Sequence, residues 1–247
     1  MNHPLVSIIT VVFNGEKTLE NTLKSIFNQT YPNIECIVID GASKDKTIDI
    51  IKQYETKINY WISEPDKGLY DAMNKGLRVA TGNYVFFLNA DDVFFRNDVL
   101  EKVLLFESNA DVYYGDAMFI DENENELGVR SKVTPHKHPD NLNWKSLKYG
   151  MVVSHQAFIV KRSIAPLYNT KYKIASDIDW MINVLKNASS IINTHLIIAK
   201  FKTGGTSTKR QKLAWKERYD ILNSHYGIIN NFFNHIYIVV RYLFKKK

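Results

Sequence analysis

The chain has 247 residues, of which 45% are hydrophobic and 13% aromatic, and this content is enough to bury a sizeable core and to exclude a disordered protein. The net charge of +6 is unevenly distributed, because residues 200–247 hold 11 Lys or Arg and 2 Asp or Glu, while residues 1–199 carry a net charge of −3. A basic tail of this kind favours an anionic membrane surface as partner and argues against a nucleic acid, whose enzymes spread basic residues around their site.

The cysteine content and the N-terminal pattern indicate where the protein works. Cys36 is the only cysteine of the sequence, so no intrachain disulfide can form, which favours a reducing, cytoplasmic environment. The apolar run Leu5–Phe13 is too short to span a bilayer and follows no basic segment. We therefore expect neither a signal peptide nor a transmembrane helix there.

Apolar strands and amphipathic helices alternate in the first hundred residues. Leu5–Phe13 and Ile34–Ile39 are β-branched and almost uniformly apolar, which is typical of strands buried on both faces of a parallel sheet. Apolar residues at helical spacing follow the first strand, at Leu19, Leu23, Ile26 and Phe27. A second helix is predicted from a cap at Ser43 through about Tyr54. A strand, a helix and a strand are then predicted over residues 58–62, 69–80 and 83–88.

This alternation predicts an α/β fold with an open, Rossmann-like, mostly parallel sheet and helices on both faces. The pattern loosens beyond Val99. We predict helices near 98–107, 177–185 and 209–226, strands at 111–114 and 117–120, a solvated turn at 121–126, a loop at 133–148 and an aromatic segment at 228–244.

Polar residues follow each of the first four predicted strands. In open α/β sheets, ligands bind outside the carboxyl ends of the strands. Asn14 and Glu16 follow the first strand, Asp40 ends the second, residues 64–71 follow the third, and residues 89–92 follow the fourth. The sequence therefore predicts one polar rim along this edge of the sheet.

Two acidic positions on this rim suit a nucleotide. Asp91 and Asp92 follow a buried strand, where carboxylate oxygens can hold Mg²⁺ or Mn²⁺, although helix capping or surface solvation is the alternative. Asp40 stands beside Gly41, which suits a carboxylate that accepts hydrogen bonds from a base or ribose, and a simple turn is the alternative.

Four ordered motifs, at residues 7–14, 37–45, 68–76 and 80–92, resemble those of the inverting family 2 glycosyltransferases, which have the GT-A fold. The resemblance implies a nucleoside-diphosphate sugar as donor and a divalent cation, Mn²⁺ or Mg²⁺, as cofactor. It assigns to the donor site Phe13, Asn14, Glu16, Asp40, Asp71, Asn74, Asn89 and Asp91. Asp91 takes the metal-binding place of the Asp-x-Asp motif, whose first position is here Asn89.

A looser resemblance extends to the acceptor half of bacterial polysaccharide-type members, through residues 154–158, 174–179 and 204–207. It implies that Asp177 is the general base, with Asp179 as the second candidate, and that His155 and Gln156 contact the acceptor. Other interpretations stay open, because Asp177 could be a first-turn carboxylate favoured by the helix dipole and His155 a hydrogen-bonded structural residue. The glycine pair at 204–205 could belong to a loop that closes over the donor, or it could form a turn.

The resemblance implies a GT-A domain at 1–208, with a nucleotide-sugar-binding half at 1–98 and an acceptor half at 99–208. Residues 209–247 form a basic, aromatic, helical C-terminal extension, which either lies on an anionic membrane or packs against protein.

The expected activity is metal-dependent, inverting sugar transfer of hexosyltransferase type, from a nucleoside diphosphate to a hydroxyl of a lipid-linked or polysaccharide acceptor. We expect it in cell-envelope glycan synthesis, peripherally on the inner face of the membrane. The alternative is a non-catalytic nucleotide-binding or signalling module on a similar sheet. A dinucleotide oxidoreductase and a P-loop NTPase are disfavoured, since their glycine-rich motifs are missing from the sequence.

Overall fold

The computed structural model describes residues 3–106, 109–205 and 210–244, without the side chains of 241–244. Its first half contains β1 (Val6–Val12), α1 (Leu19–Phe27), β2 (Ile34–Asp40), α2 (Thr47–Gln53), β3 (Tyr60–Ser63), α3 (Leu69–Val79) and β4 (Tyr84–Phe87). The second half contains β5 (Val93–Phe94), α4 (Val99–Leu104), β6 (Val112–Ile120), β7 (Glu126–Val129), α5 (Arg130–Val133), β8 (Phe158–Lys161), α6 (Ser176–Asn187), β9 (Ile191–Lys202), α7 (Gln211–Tyr226) and α8 (Ile228–Phe244). Short 3₁₀ helices lie at Glu55–Lys57, Trp144–Tyr149, His155–Ala157 and Arg162–Ile164.

The strands form one open sheet in the order β3-β2-β1-β4-β8-β6-β9-β5, with β7 paired to β6. The first four strands of this order are parallel. Beyond them β8 is antiparallel to both β4 and β6, β9 is parallel to β6, and β5 is antiparallel to β9. The predicted α/β open sheet is confirmed, and its second half is mixed rather than parallel.

Hydrophobic clusters cover both faces of this sheet, because successive side chains of a strand point to opposite sides. In β1, Ile9 and Val11 belong to the cluster under α3 and α6, while Ile8 and Val12 belong to the cluster under α1 and α4. Helix α3 packs directly on β1, since a Cβ atom at Gly76 would lie 2.4 Å from Ile9 Cγ2. The β1 strand is therefore covered on both faces, and α3 is held close against it.

Several predicted boundaries were wrong. Residues 111–120 form one strand instead of two, because Gly115 permits close approach of β9: a Cβ atom there would lie 2.4 Å from the Leu196 carbonyl oxygen. The register of β6 against β9 shifts at this point. The third strand lies at Tyr60–Ser63 rather than 58–62, and α2 begins at Thr47 rather than after a cap at Ser43. Strands β5, β7, β8 and β9 were not predicted.

The C-terminal extension is helical, as predicted. Helices α7 and α8 are separated by Gly227, which has a left-handed φ of 82° that glycine adopts without strain. Helix α8 packs on α7 and on the 3₁₀ helix Trp144–Tyr149. Among the helices that the structure describes, none combines the length and apolar character needed to cross a membrane.

Candidate functional site

The ends of β2 and β4 lie on either side of the end of β1. The Gly41 N–H, just after β2, donates to the Val12 carbonyl at 2.9 Å, and the Ala90 N–H, just after β4, donates to the Val11 carbonyl at 3.4 Å. Asp40 and Asp91 therefore belong to the same edge of the sheet, with the end of β1 between them. The predicted rim exists in the structure as one continuous edge.

The loops after β1 and β2 are tied into one wall through Asn14. Its backbone N–H donates to Ser43 Oγ at 2.7 Å, and its side-chain Oδ1 accepts from the Lys44 N–H at 2.8 Å. Asn14 has a left-handed φ of 53°, which asparagine tolerates better than most residues. The side chain is thus engaged in holding the two loops together.

Glu16 adds a second set of ties between the same loops. Its carboxylate accepts from the Lys46 N–H at 3.1 Å, and its own N–H donates to Asp45 Oδ2 at 3.0 Å. The Gly15 N–H donates to Thr47 Oγ1 at 2.8 Å. These bonds fix the backbone around the mouth of the site.

Asp40 is fully buried at the end of β2. Its carboxylate accepts hydrogen bonds from the Ser43 N–H at 3.0 Å, from Ser63 Oγ at 2.6 Å and from Ser43 Oγ. The ends of β2 and β3 are therefore joined through this one side chain. The orientation of the carboxylate is fixed before any ligand binds.

Phe13 contrasts with these engaged side chains, because 64% of its surface is exposed. It lies over Gly41, where an added Cβ atom would be 3.4 Å from the Phe13 ring and 2.5 Å from Asp66 Oδ2. A side chain at position 41 would therefore push the Asp66 carboxylate away. An exposed aromatic ring beside bare backbone is a surface on which a planar base can stack.

The two predicted donor residues on α3 have different environments. Asp71 Oδ2 accepts from the Lys67 N–H at 3.0 Å in the first turn of the helix. Asn74 is buried, and its amide group exchanges two hydrogen bonds with the backbone of Tyr168, at 2.9 and 2.7 Å. Asn74 therefore joins α3 to the segment that precedes α6.

The two acidic residues after β4, Asp91 and Asp92, have few positive charges near them. Asp92 is buried, its Oδ1 accepts from the Lys202 N–H at 3.3 Å, and burial together with the neighbouring Asp91 charge raises its pKa well above the usual range. Asp91 is exposed, yet desolvation by the surrounding protein raises its pKa against the nearby charge of Lys202. Asp92 Oδ2 and Asn89 Oδ1 are buried without a hydrogen-bond partner.

These oxygens fit a hard divalent cation, which prefers carboxylate and amide oxygen ligands. The described ranges contain no ready-made cluster of three or more His, Cys, Asp or Glu side chains for a metal. Mg²⁺ is commonly held by only one or two carboxylates together with substrate phosphates. A cleft of about 410 Å³ opens beside Asp91 and is lined in part by Lys200 and Lys202.

The N-terminus of α6 carries the two predicted base candidates in different states. Asp177 is partly buried beside the Tyr70 side chain, and burial raises its pKa while the charge of Arg218 lowers it. Asp179 is buried, and its Oδ1 lies 2.7 Å from His225 Nε2.

The His225 ring is oriented by a third residue. Lys186 Nζ lies 2.8 Å from His225 Nδ1, and an ammonium can only donate, so Nδ1 is the acceptor and Nε2–H donates to Asp179. Asp179 is thus engaged on the α7 side, while Asp177 faces Tyr70.

The two predicted acceptor residues are both buried. His155 is buried with its Nε2 2.6 Å from the Tyr168 hydroxyl, and burial lowers its pKa to about 4, so the ring is neutral near pH 7. This buried, hydrogen-bonded environment fits the alternative interpretation, in which His155 is a structural residue. Gln156 is buried too, and its side-chain oxygen accepts from Ser154 Oγ at 2.9 Å. Of the motif at 204–207, Thr206 and Ser207 lie outside the described residues.

Comparison with known proteins identifies the family. The family model "Glycosyl transferase family 2" matches residues 7–166 of the chain. The chain belongs to glycosyltransferase family 2. It is an enzyme of the glycosyltransferase class, as predicted.

Two named relatives of this glycosyltransferase come from bacteria. A Mycobacterium tuberculosis protein named "PGL/p-HBAD biosynthesis glycosyltransferase" is 30% identical over 216 residues, which are 83% of this chain and 79% of the relative. The Escherichia coli protein WfgD, named "UDP-Glc:alpha-D-GlcNAc-diphosphoundecaprenol beta-1,3-glucosyltransferase", is 25% identical over 247 residues, which are 98% of this chain and 94% of the relative.

The structure of S. aureus TarS in complex with UDP-GlcNAc has the same fold, with a TM-score of 0.71 and 19% sequence identity. The matched region covers 88% of this glycosyltransferase and 64% of the TarS chain. The likeness confirms the GT-A prediction.

The family match contains the predicted donor residues but ends before Asp177, Asp179 and the C-terminal helices. The roles of the individual residues stay predictions. Sequence analysis gave no role to several residues that the structure ties to the site, namely Ser63, Lys202, Glu217, Arg218 and His225. No local pattern marks them, because each depends on a partner distant in sequence.

Proposed function

We propose that this glycosyltransferase moves a sugar from a nucleoside diphosphate to a hydroxyl of a lipid-linked or polysaccharide acceptor, with metal dependence and inversion at the anomeric carbon, in cell-envelope glycan synthesis. The main support is the convergence of Asp40 and Asp91 on the two sides of the β1 end. The names of the relatives add support, since WfgD is named for a UDP-glucose donor and an undecaprenol-linked acceptor.

The nucleoside half of the donor is proposed to bind over the loops after β1 and β2. The exposed Phe13 ring offers a stacking surface. The buried Asp40 carboxylate supports the same wall through its hydrogen bonds from Ser43 and Ser63. Asn14 and Glu16 support this wall through their loop-to-loop hydrogen bonds. Because these groups are positioned in advance, little ordering is lost when the nucleotide binds.

The cation, Mn²⁺ or Mg²⁺, is proposed to be held by Asp91, with Asn89 and Asp92 supplying the other protein oxygens. When bound, it neutralises charge that develops on the departing diphosphate. Lys202, whose charge already lowers the pKa of Asp91, adds a positive group beside the same carboxylate.

Asp177 is proposed as the general base. Its carboxylate takes the proton from the acceptor hydroxyl as that oxygen attacks the anomeric carbon opposite the diphosphate, so the C–O bond to the diphosphate breaks and the configuration inverts. The raised pKa that burial gives Asp177 makes it a stronger proton acceptor than an ordinary aspartate. Asp179 is the weaker candidate, because its carboxylate already accepts from His225.

The direct test of this function is transfer by the purified protein. UDP-sugars labelled in the sugar are incubated with undecaprenyl-diphosphate-linked GlcNAc and with soluble glycan acceptors, and the product linkage is determined by NMR. Label in the acceptor with inverted anomeric configuration is expected. Nucleotide binding with neither transfer nor hydrolysis of any donor would instead favour the non-catalytic nucleotide-binding module.

Peripheral binding to an anionic membrane is also proposed, through the C-terminal extension at 209–247. Helix α8 is oriented with polar groups inward: Asn231 is fully buried and its amide N–H donates to Asn223 Oδ1 at 2.6 Å. Its large apolar side chains face outward, and the most exposed are Ile228, Ile229, Phe232 and Phe233. No Asp or Glu occurs after Asp220, and the sequence ends in three lysines. An exposed apolar face next to basic residues fits a bilayer with anionic headgroups.

Replacing Phe232 and Phe233 together by Ser is expected to weaken binding to vesicles containing phosphatidylglycerol by at least about 10-fold, because each buried ring contributes about 1.5–3 kcal/mol. Co-sedimentation measures the effect. Asn230→Ser, at an exposed polar position of the same helix, is the control and should bind normally. Equal binding of all three proteins would argue against a lipid-facing α8.

A further inference from the structure

Helix α7 lies outside the residues matched by the family model, yet it contacts the segment that leads into α6. Glu217, which is buried on α7, points its carboxylate at three consecutive backbone N–H groups. Oε1 accepts from Lys173 at 2.8 Å, and Oε2 accepts from Ile174 at 2.8 Å and Ala175 at 3.0 Å. One side chain of the extension thus fixes the path of residues 173–175.

These residues immediately precede α6, whose first turn carries Asp177. The residue at the N-cap position is Ala175, which has no side chain able to accept a hydrogen bond from the helix. Glu217 instead supplies an acceptor and a negative charge from another helix, close to the positive end of the α6 dipole. If this carboxylate moved, residues 173–175 would lose their hydrogen-bond acceptor. The position of Asp177 in the first turn of α6 would then change.

Further contacts join the same two helices around Asp177. Tyr70 on α3 lies beside the Asp177 carboxylate, and Arg218 on α7 places a positive charge near it. The Tyr70 hydroxyl donates to the Ile174 carbonyl at 2.9 Å, inside the segment that Glu217 holds. Beyond Asp177, Asp179 is held by His225, again from α7. The charged and titratable groups near Asp177 are therefore Tyr70 on α3, Arg218 on α7 and Tyr168 in the segment before α6.

We propose that α7 completes the acceptor side of the active site, with Glu217 as a positioning residue that orients Asp177 through backbone 173–175. This inference rests on the proposed role of Asp177 as base. It assigns to the C-terminal extension a part in catalysis that is separate from membrane binding.

Glu217→Gln is the first test. The amide keeps one acceptor oxygen but turns an N–H₂ group toward a backbone N–H, so the clamp on 173–175 loosens. We expect kcat to fall by about 10-fold to 100-fold, as small displacements of a catalytic group do, with unchanged KM for the donor and an unchanged thermal shift with UDP. Glu217→Asp, which keeps the charge on a shorter side chain, should recover part of the loss.

Asp220→Asn is the matched control, because it removes the same charge from an exposed position of the same helix. It should leave kcat and KM unchanged. A normal kcat in Glu217→Gln, or a loss of UDP binding in step with the loss of activity, would overturn the positioning role.

If Asp177→Asn itself keeps full activity, the proposed base has failed. An inactive Asp177→Asn together with a normal Glu217→Gln means that only this inference has failed.

Discussion

Asp91→Ala is expected to lower kcat for sugar transfer by at least about 100-fold, because a bound cation stabilises developing charge by several kcal/mol. The substitution removes the exposed carboxylate at the end of β4 and leaves Asp92 buried behind it. Added Mn²⁺ should restore little of the lost rate. Steady-state rates at several Mn²⁺ concentrations measure both effects.

Asp49→Ala is the control for this substitution, since Asp49 is an exposed acidic residue on α2, away from the end of β4. It should keep the activity and metal response of the unmodified enzyme. Full transfer activity of that enzyme in excess chelator would contradict the metal role, whatever the effect of Asp91→Ala.

Asp177→Asn is expected to lower kcat by about 100-fold to 10,000-fold, the usual contribution of a general base, while donor binding stays normal. Asparagine has nearly the same shape but cannot accept the hydroxyl proton. In the unmodified enzyme, activity should fall as the pH drops through the pKa of Asp177, because only the ionised carboxylate is a base. Burial raises that pKa, so the fall should lie above the usual aspartate range.

Asp179→Asn separates the two candidate bases. Its carboxylate accepts from His225, so the substitution should cost stability and a moderate part of the rate, without abolishing transfer. A normal rate in Asp177→Asn combined with an inactive Asp179→Asn would move the assignment to Asp179. The pH profile and single-turnover rates of both variants decide between them.

The half of the fold built from uniformly apolar strands could be predicted from the sequence. Val6–Val12 and Ile34–Asp40 are buried on both faces, and such runs have few alternative structures. Strand β9 (Ile191–Lys202) has no such signal, because it is partly exposed and contains His195 with a left-handed φ of 54°. The two-residue strand β5 is defined only by its pairing with β9.

The candidate site likewise has a part that could be predicted from the sequence and a part that could not. Asp40 and Asp91 could be predicted, because the topology brings the ends of neighbouring parallel strands to one edge. Their supports could not, since Ser63 is 23 residues from Asp40, and Glu217 is 42 residues from Ala175. A buried Glu on a helix that is otherwise largely exposed gives no periodic signal of its role.

The orientation of α8 was also beyond sequence analysis. The segment was predicted as a helix with apolar and polar residues, but the sequence did not reveal that Asn231 would be buried and Phe233 left 63% exposed. The orientation of α8 depends on the hydrogen-bond partners of Asn231 on α7, which are the Asn223 side chain and the Tyr219 carbonyl.

The most direct measurement for the central claim is thermal stabilisation of the protein by UDP and by uridine, each with and without Mn²⁺. A ligand that binds only the folded state raises the melting temperature, and at a given ligand concentration the rise is larger for a tighter ligand. If a cation at Asp91 links the protein to the diphosphate, Mn²⁺ should enlarge the shift given by UDP, leave that of uridine unchanged, and lose its effect in Asp91→Ala. An equal UDP shift in Mn²⁺ and in chelator would contradict the account.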